Sequence, residues 1–157
     1  MKTIKINYRM ATDKDIDLLV LERLKHVEVN EKDDKYPVLK ENCYSYFRKA
    51  FANDTCDVLL AEDSGKCVGT GIVFYYDSVP SAFDVTGKKA YITSMYVDPN
   101  YRRQGIGMTI LEKIVAKAEE RGYKMILLNA SDMGKPMYEK MGFVDSVNGM
   151  FLDKRNE

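Results

Sequence analysis

The chain has one histidine, three cysteines and no excess of either charge among its 157 residues. Each shortage excludes something. His26 has no second histidine with which to build a zinc site or to serve a serine nucleophile, and it falls among charged residues on a helix expected at the surface. Cys43, Cys56 and Cys67 are odd in number and lack metal-type spacing, so they read as reduced, small buried apolar residues; Cys56 and Cys67 could face each other across a hairpin. Lysine plus arginine (24) balances aspartate plus glutamate (24), which argues against a broad basic surface for nucleic acid but leaves room for a local phosphate pocket. No apolar run approaches the ~20 residues that span a bilayer. The N-terminus alternates polar and apolar residues and reads as a strand, not a secretory signal, so a cytoplasmic protein with no membrane partner is expected.

What is present is an ordinary globular mixture, 45% hydrophobic and 31% charged, of a length suited to one domain over residues 1–157. Residues 3–10 read as a strand, and residues 11–13 supply turn and capping groups. Ile16, Leu19, Val20, Leu24 and Val27 recur at helical spacing up to about residue 29. A loop is expected over 30–38, then a helix over 39–52. Strands follow at 57–62, 67–76 and 90–97, with a hairpin turn at 63–66 and a loop at 77–88. Ile110, Leu111, Ile114, Val115 and Ala118 mark a long helix that Gly122 should stop. Residues 124–129 read as a buried parallel strand, 133–141 as a short helix and 147–152 as a final strand. Strand, helix, strand across 90–129 is a βαβ unit, and the fold class is mixed α/β around one sheet.

The chemistry concentrates at residues 102–107, Arg-Arg-Gln-Gly-Ile-Gly, between a strand and a helix. A helix N-terminus leaves main-chain N–H groups without intrahelical partners and adds roughly half a positive charge. Glycine lets that main chain approach a ligand closely, which suits a pyrophosphate, and Arg102 and Arg103 add attraction to phosphate oxygens. A Walker loop would need Gly-Lys-Ser/Thr, but Met108-Thr109 follow here; a dinucleotide fingerprint would need a third glycine, but Ile110 stands in its place. Glycine spacing alone leaves a plain capping turn open as well.

The run from Tyr91 to Gly107 resembles the signature of the GNAT acetyltransferase superfamily, whose R/Q-x-x-G-x-G/A element is matched by Arg102, Gly105 and Gly107. A second block, from Ser131 to Phe143, resembles the superfamily's final helix with its Tyr-x-x-x-Gly-Phe ending. The resemblance implies a central, mostly antiparallel sheet with about four helices and a split between strands four and five for the pantetheine arm of acetyl-coenzyme A. Main-chain groups of Met95, Tyr96 and Val97 would bind the acetyl carbonyl and the arm. Arg103, Gln104, Gly105, Ile106, Gly107, Met108 and Thr109 would surround the pyrophosphate. Asn129 and Ser131 would face the cofactor's other side, and Lys135 joins the set that touches it. Tyr138 would protonate the departing thiolate, and no metal is required.

The implied activity is transfer of an acetyl group to a primary amine of a small molecule or peptide by direct attack. The resemblance also admits a homodimer. No general base stands out: strand four offers Thr93 and Ser94 where relatives often carry glutamate, and Glu28, Glu62 and Asp77 read more simply as solvated residues, so a water-mediated base is expected. Asp33, Asp34, Tyr36, Tyr44, Tyr46 and Phe51 could hold a cationic amine, or could simply belong to a polar loop and an amphipathic helix. The alternative to an enzyme is a catalytically idle acyl-CoA-binding sensor or interaction module.

Overall fold

Among the described residues, five strands form one sheet in the order β1-β2-β3-β4-β5. The computed structural model describes residues 4–146 and 149–155. The strands are β1 (Asn7–Met10), β2 (Cys56–Asp63), β3 (Lys66–Asp77), β4 (Lys88–Val97) and β5 (Met125–Leu128). The helices are α1 (Ile16–His26), α2 (Tyr36–Ala52), α3 (Ile106–Glu120) and α4 (Lys135–Met141). All neighbouring strands are antiparallel except β4 and β5, which run parallel and are joined through α3. Among the described residues no helix is long and apolar enough to cross a membrane.

The pleat of β2 explains how the sheet is covered. Cys56, Val58 and Leu60 pack with Leu19, Val20, Leu24, Phe47 and Ala50 of α1 and α2. Leu59 and Ala61, on the opposite face, pack with Ile110, Leu111 and Ile114 of α3 and with Tyr138 of α4. A strand buried on both faces is largely apolar, and its buried exception, Asp57, is paired with Tyr75 and Arg121; each fully buried aliphatic side chain contributes about 1.5–3 kcal/mol.

Local chemistry sets the helix starts. Thr12 Oγ1 accepts from the Lys14 N–H at 3.3 Å and the Asp15 carboxylate accepts from the Thr12 N–H at 2.8 Å, a capping box ahead of α1. Helix α2 begins at Tyr36, earlier than expected from the charge of 30–38, because Pro37 sits in the first turn where its missing N–H costs no bond. The expected strand at 147–152 is not formed at 149–152, which carry no ladder and leave Met150, Phe151 and Leu152 exposed; residues 147 and 148 lie outside the described residues.

The cysteines do not oppose each other: Cys56 pairs with Phe74 and Cys67 with Glu62, since the hairpin turn sets a register that displaces them along the strands. Both are buried and Cys43 is half-buried, all as free thiols.

Candidate active site at the open end of strands 4 and 5

The β4–β5 ladder runs from Lys89↔Met125 to Ile92↔Leu128 and stops, although β4 continues to Val97. Among the described residues, the edge of Thr93–Val97 on that side therefore has no strand beside it. On the other side β4 is irregular: Thr70 pairs with Tyr96 and Ile72 with Thr93, so Gly71 alone faces both Ser94 and Met95. Ser94 takes φ 54°, which redirects the strand at this point. Gly71 is required by the packing beneath. A Cβ there would lie 2.5 Å from Ile114 Cδ1 and 2.6 Å from Ile110 Cγ2.

Past Val97 the chain turns through Pro99–Tyr101, held by Asp98, whose carboxylate accepts from the Asn100 N–H at 3.0 Å. It then passes through two left-handed residues, Arg103 (φ 62°) and Gly105 (φ 79°), into α3. Gly105 precedes the first helical residue, and a Cβ there would meet nothing within 4 Å, so the space over the loop is open. Among the described residues, the main-chain N–H groups of residues 103–108 donate to no acceptor; the first bond of the helix is Thr109 N to Gly105 O at 3.0 Å. These amides stand at the positive end of a 15-residue helix beside the unpaired edge of β4. An anionic diphosphate fits this donor set, and the open edge of β4 fits an amide-bearing arm.

Several expected residues assemble here with specific geometry. Met95, Tyr96 and Val97 lie on the unpaired segment of β4. Arg102 turns back, donating from Nε to Val97 O at 2.9 Å with its guanidinium 5.8 Å from the Tyr96 ring; it braces the loop against the strand. Arg103 and Gln104 are exposed, while Ile106 is buried and anchors the helix start. Asn129 is exposed just beyond β5. Ser131 Oγ accepts from the Gly134 N–H at 3.1 Å, so this side chain caps the approach to α4. Lys135 pairs with Asp145 at 3.0 Å, which raises its pKa.

Tyr138 is 8% exposed, edge-on to Phe143 at 5.9 Å, and its hydroxyl makes no hydrogen bond among the described residues. Burial pushes its phenol pKa above the ordinary value. It stays a proton donor throughout the neutral range.

Two hollows meet at Ser94 on the α1–α2 face. The larger, about 300 Å³, is lined by Arg23, Asn42, Cys43, Tyr46, Phe74 and Thr93, among others. The smaller, about 10 Å³, has room for a single water and is lined by Glu22, Arg23, His26 and Thr70 besides Ser94. Most of the acidic and aromatic residues expected around an amine lie outside these two hollows. Tyr46 does line the larger hollow, but Asp33 and Asp34 are exposed in the 27–35 loop, Tyr44 donates to Asp17 at 2.9 Å, and Tyr36 and Phe51 line neither hollow. Glu28, Glu62 and Asp77 line neither hollow, and Glu62 is paired with Arg9 at 2.9 Å.

Sequence reasoning missed Glu22, Arg23 and His26. His26 is not a solvated surface residue: its ring lies 5.0 Å from that of Tyr96, and its Nδ1 is buried without a hydrogen-bond partner among the described residues. Burial, then the charges of Arg23 and Arg102, hold its pKa below the usual value. Burial raises the Glu22 carboxyl above its usual value. Helical spacing does place residues 22, 23 and 26 near one another on α1, but nothing local says that β4 lies against them.

The profile of the acetyltransferase (GNAT) family matches residues 22–143. The chain belongs to the GNAT acetyltransferase family, a family of acyltransferases. It is 33% identical over 88 residues to a thialysine N-epsilon-acetyltransferase of Sus scrofa, covering 54% of this chain and 49% of that one. It is 26% identical over 96 residues to a glucosamine 6-phosphate N-acetyltransferase of Trypanosoma brucei brucei, covering 61% and 63%. The match thus spans about half to three-fifths of the length of these curated relatives. A predicted acetyltransferase from Clostridium acetobutylicum, solved with acetyl-CoA, superposes with a TM-score of 0.86 at 33% identity over 95% of this chain and 96% of that one.

Proposed function

We propose that this GNAT protein is an N-acetyltransferase that passes the acetyl group of acetyl-coenzyme A directly to the primary amine of a small molecule. The observation that carries this reading is the run of undonated amides at 103–108, set beside a β4 edge whose partner strand has ended. In this reading those amides hold the pyrophosphate, with Arg103, Gln104 and Thr109 around it. Met95, Tyr96 and Val97 bind the arm and the acetyl carbonyl, and Asn129, Ser131 and Lys135 close the far side.

The acceptor enters the larger hollow and reaches the thioester past Ser94. An alkyl amine with pKa ~10.4 is about one part in a thousand neutral near pH 7.4, a deficit of roughly 4 kcal/mol that a base or desolvation has to supply. Glu22 and His26 line the small hollow that shares Ser94 with the acceptor cavity, so the amine proton passes through a water held there to one of these two bases. Tyr138 donates its phenolic proton to the departing thiolate sulfur.

Thermal shift with acetyl-CoA, ATP and NAD, followed by thiol release with a panel of amines, tests this. Stabilisation by acetyl-CoA alone and amine-dependent release are expected. A shift with ATP or NAD but none with acetyl-CoA would defeat the donor assignment. Acetyl-CoA binding without release for any amine would leave an acyl-CoA-binding module and end the enzyme reading.

A further inference from the structure

Three arginines of the described chain are half-buried: Arg9, Arg23 and Arg121. Arg9 is held by Asp15 and Glu62, and Arg121 by Asp54 and Asp57. Arg23 has no carboxylate partner among the described residues. Its one hydrogen bond there runs from Nη1 to Ser94 Oγ at 2.9 Å. A guanidinium has five N–H donors in a rigid fork, and withdrawing it from water without an anion is costly.

The surroundings of Arg23 sharpen the point. It lines both hollows at their meeting place, and among the described residues no aspartate or glutamate lines the larger one. Its walls are otherwise neutral: Leu39, Asn42, Tyr46, Phe47 and Phe74 among them. Glu22, the carboxylate of the smaller hollow, interacts with Lys25 rather than with Arg23. The bond to Ser94 holds the fork beside the redirected segment of β4. The cavity is therefore a neutral-walled hollow with one anchored cation whose remaining donors lack an anion.

We infer that the acceptor amine also carries a carboxylate or phosphate, and that the Arg23 guanidinium binds this group. The inference rests on the acyltransfer reading and names the substrate class of that site. The planar fork matches either anion through two parallel bonds. A cavity of about 300 Å³ restricts the acceptor to a small molecule such as an amino acid or an amino-sugar phosphate. Polyamines and other purely cationic amines meet a like charge at Arg23 and are disfavoured.

Paired acceptors test the inference: lysine against cadaverine, and glucosamine 6-phosphate against glucosamine, in thiol release with the full chain. In at least one pair the anionic member should have a kcat/KM roughly ten- to a hundredfold higher, the worth of a charge-assisted bond. The pair that responds distinguishes carboxylate from phosphate. Arg23→Gln should abolish the preference through KM, with acetyl-CoA affinity unchanged, and Arg23→Lys should restore part of it. Equal rates within both pairs, or an Arg23→Gln variant that loses both members of a pair alike, would overturn the inference. Should no amine be turned over, inorganic phosphate and acetate titrated into the coenzyme A-saturated protein still decide the matter. Binding lost in Arg23→Gln supports the anion site even though the enzyme reading fails, and binding indifferent to Arg23 sinks it.

Discussion

The imidazole of His26 rests against the ring of Tyr96, centroids 5.0 Å apart, with Nδ1 buried and without a hydrogen-bond partner among the described residues. Charging that ring in the folded protein is opposed by burial and by Arg23 and Arg102. The folded pKa lies below the unfolded value of about 6.5, so between the two the unfolded chain binds more protons. Stability is then full above pH ~6.5 and lost as pH falls through this window. Urea unfolding from pH 7.5 down to 5.5 should show this loss in the wild type and a flatter profile in His26→Gln. Glu22, raised by burial, acts with opposite sign, so the informative quantity is the difference between the two proteins. Parallel profiles would refute the assignment.

Gly105→Val places a β-branched residue at φ 79°. The backbone cost is about 1–2 kcal/mol, since among the described residues nothing beyond the adjoining two lies within 4 Å of the new Cβ. The larger effect should fall on coenzyme affinity, weakened at least tenfold by calorimetric titration of the still-folded variant. An unchanged affinity would mean that the 103–108 amides do not face the pyrophosphate.

Tyr138→Phe removes a hydroxyl with no hydrogen-bond partner among the described residues. Unfolding free energy should stay within about 0.5 kcal/mol. Both kcat and kcat/KM should fall about a hundredfold, as for loss of a general acid, with acetyl-CoA affinity retained. Turnover at the wild-type rate would take Tyr138 out of the reaction.

Gly71→Ala forces a methyl group to 2.5 Å from Ile114 Cδ1 and 2.8 Å from Met95 Sδ. Overpacking of this kind costs about 1–3 kcal/mol. Because Gly71 faces Ser94 and Met95, acetyl-CoA affinity should drop together with the urea midpoint. A loss of stability with the affinity intact would show that β4 keeps its course without this contact.

Asp57 accepts from the Tyr75 hydroxyl at 2.6 Å and from Arg121 Nε at 2.6 Å, and Tyr75 packs on the face of the sheet opposite the hollows. Asp57→Ala strands a buried hydroxyl and half of an ion-pair network. It should cost about 3 kcal/mol in urea unfolding, with the kinetics of the folded fraction unaltered. A cost below ~1 kcal/mol would show that Asp54 alone satisfies Arg121.

The elements that could be read from sequence were those with a strong local signal. The stripe from Ile110 to Ala118 marked α3, and Arg102, Gly105 and Gly107 marked the turn before it. The irregularity of β4 could not be read there. It is a relation between Gly71 and two residues more than twenty positions away, and no spacing within either strand encodes it. The same holds for Arg23 and His26, whose meaning depends on Ser94 and Tyr96 lying across from α1. The strand expected over 147–152 followed from an apolar cluster that remains exposed at 150–152. Helix α2 started early because a proline in the first turn looks, in sequence, like the end of a loop.

The loop before α3 offers peptide groups, whereas the hollow near Ser94 is walled by side chains from α1, α2 and the sheet. The two halves consequently mutate under different rules. Exchanging Asn42, Tyr46 or Phe74 alters what enters the hollow, while exchanging Gln104 or Met108 for another residue leaves the amides of the turn where they are. On the proposed reading, a scaffold divided in this way can be retargeted to a new amine by changes confined to one wall, with its handle for the donor carried along unaltered.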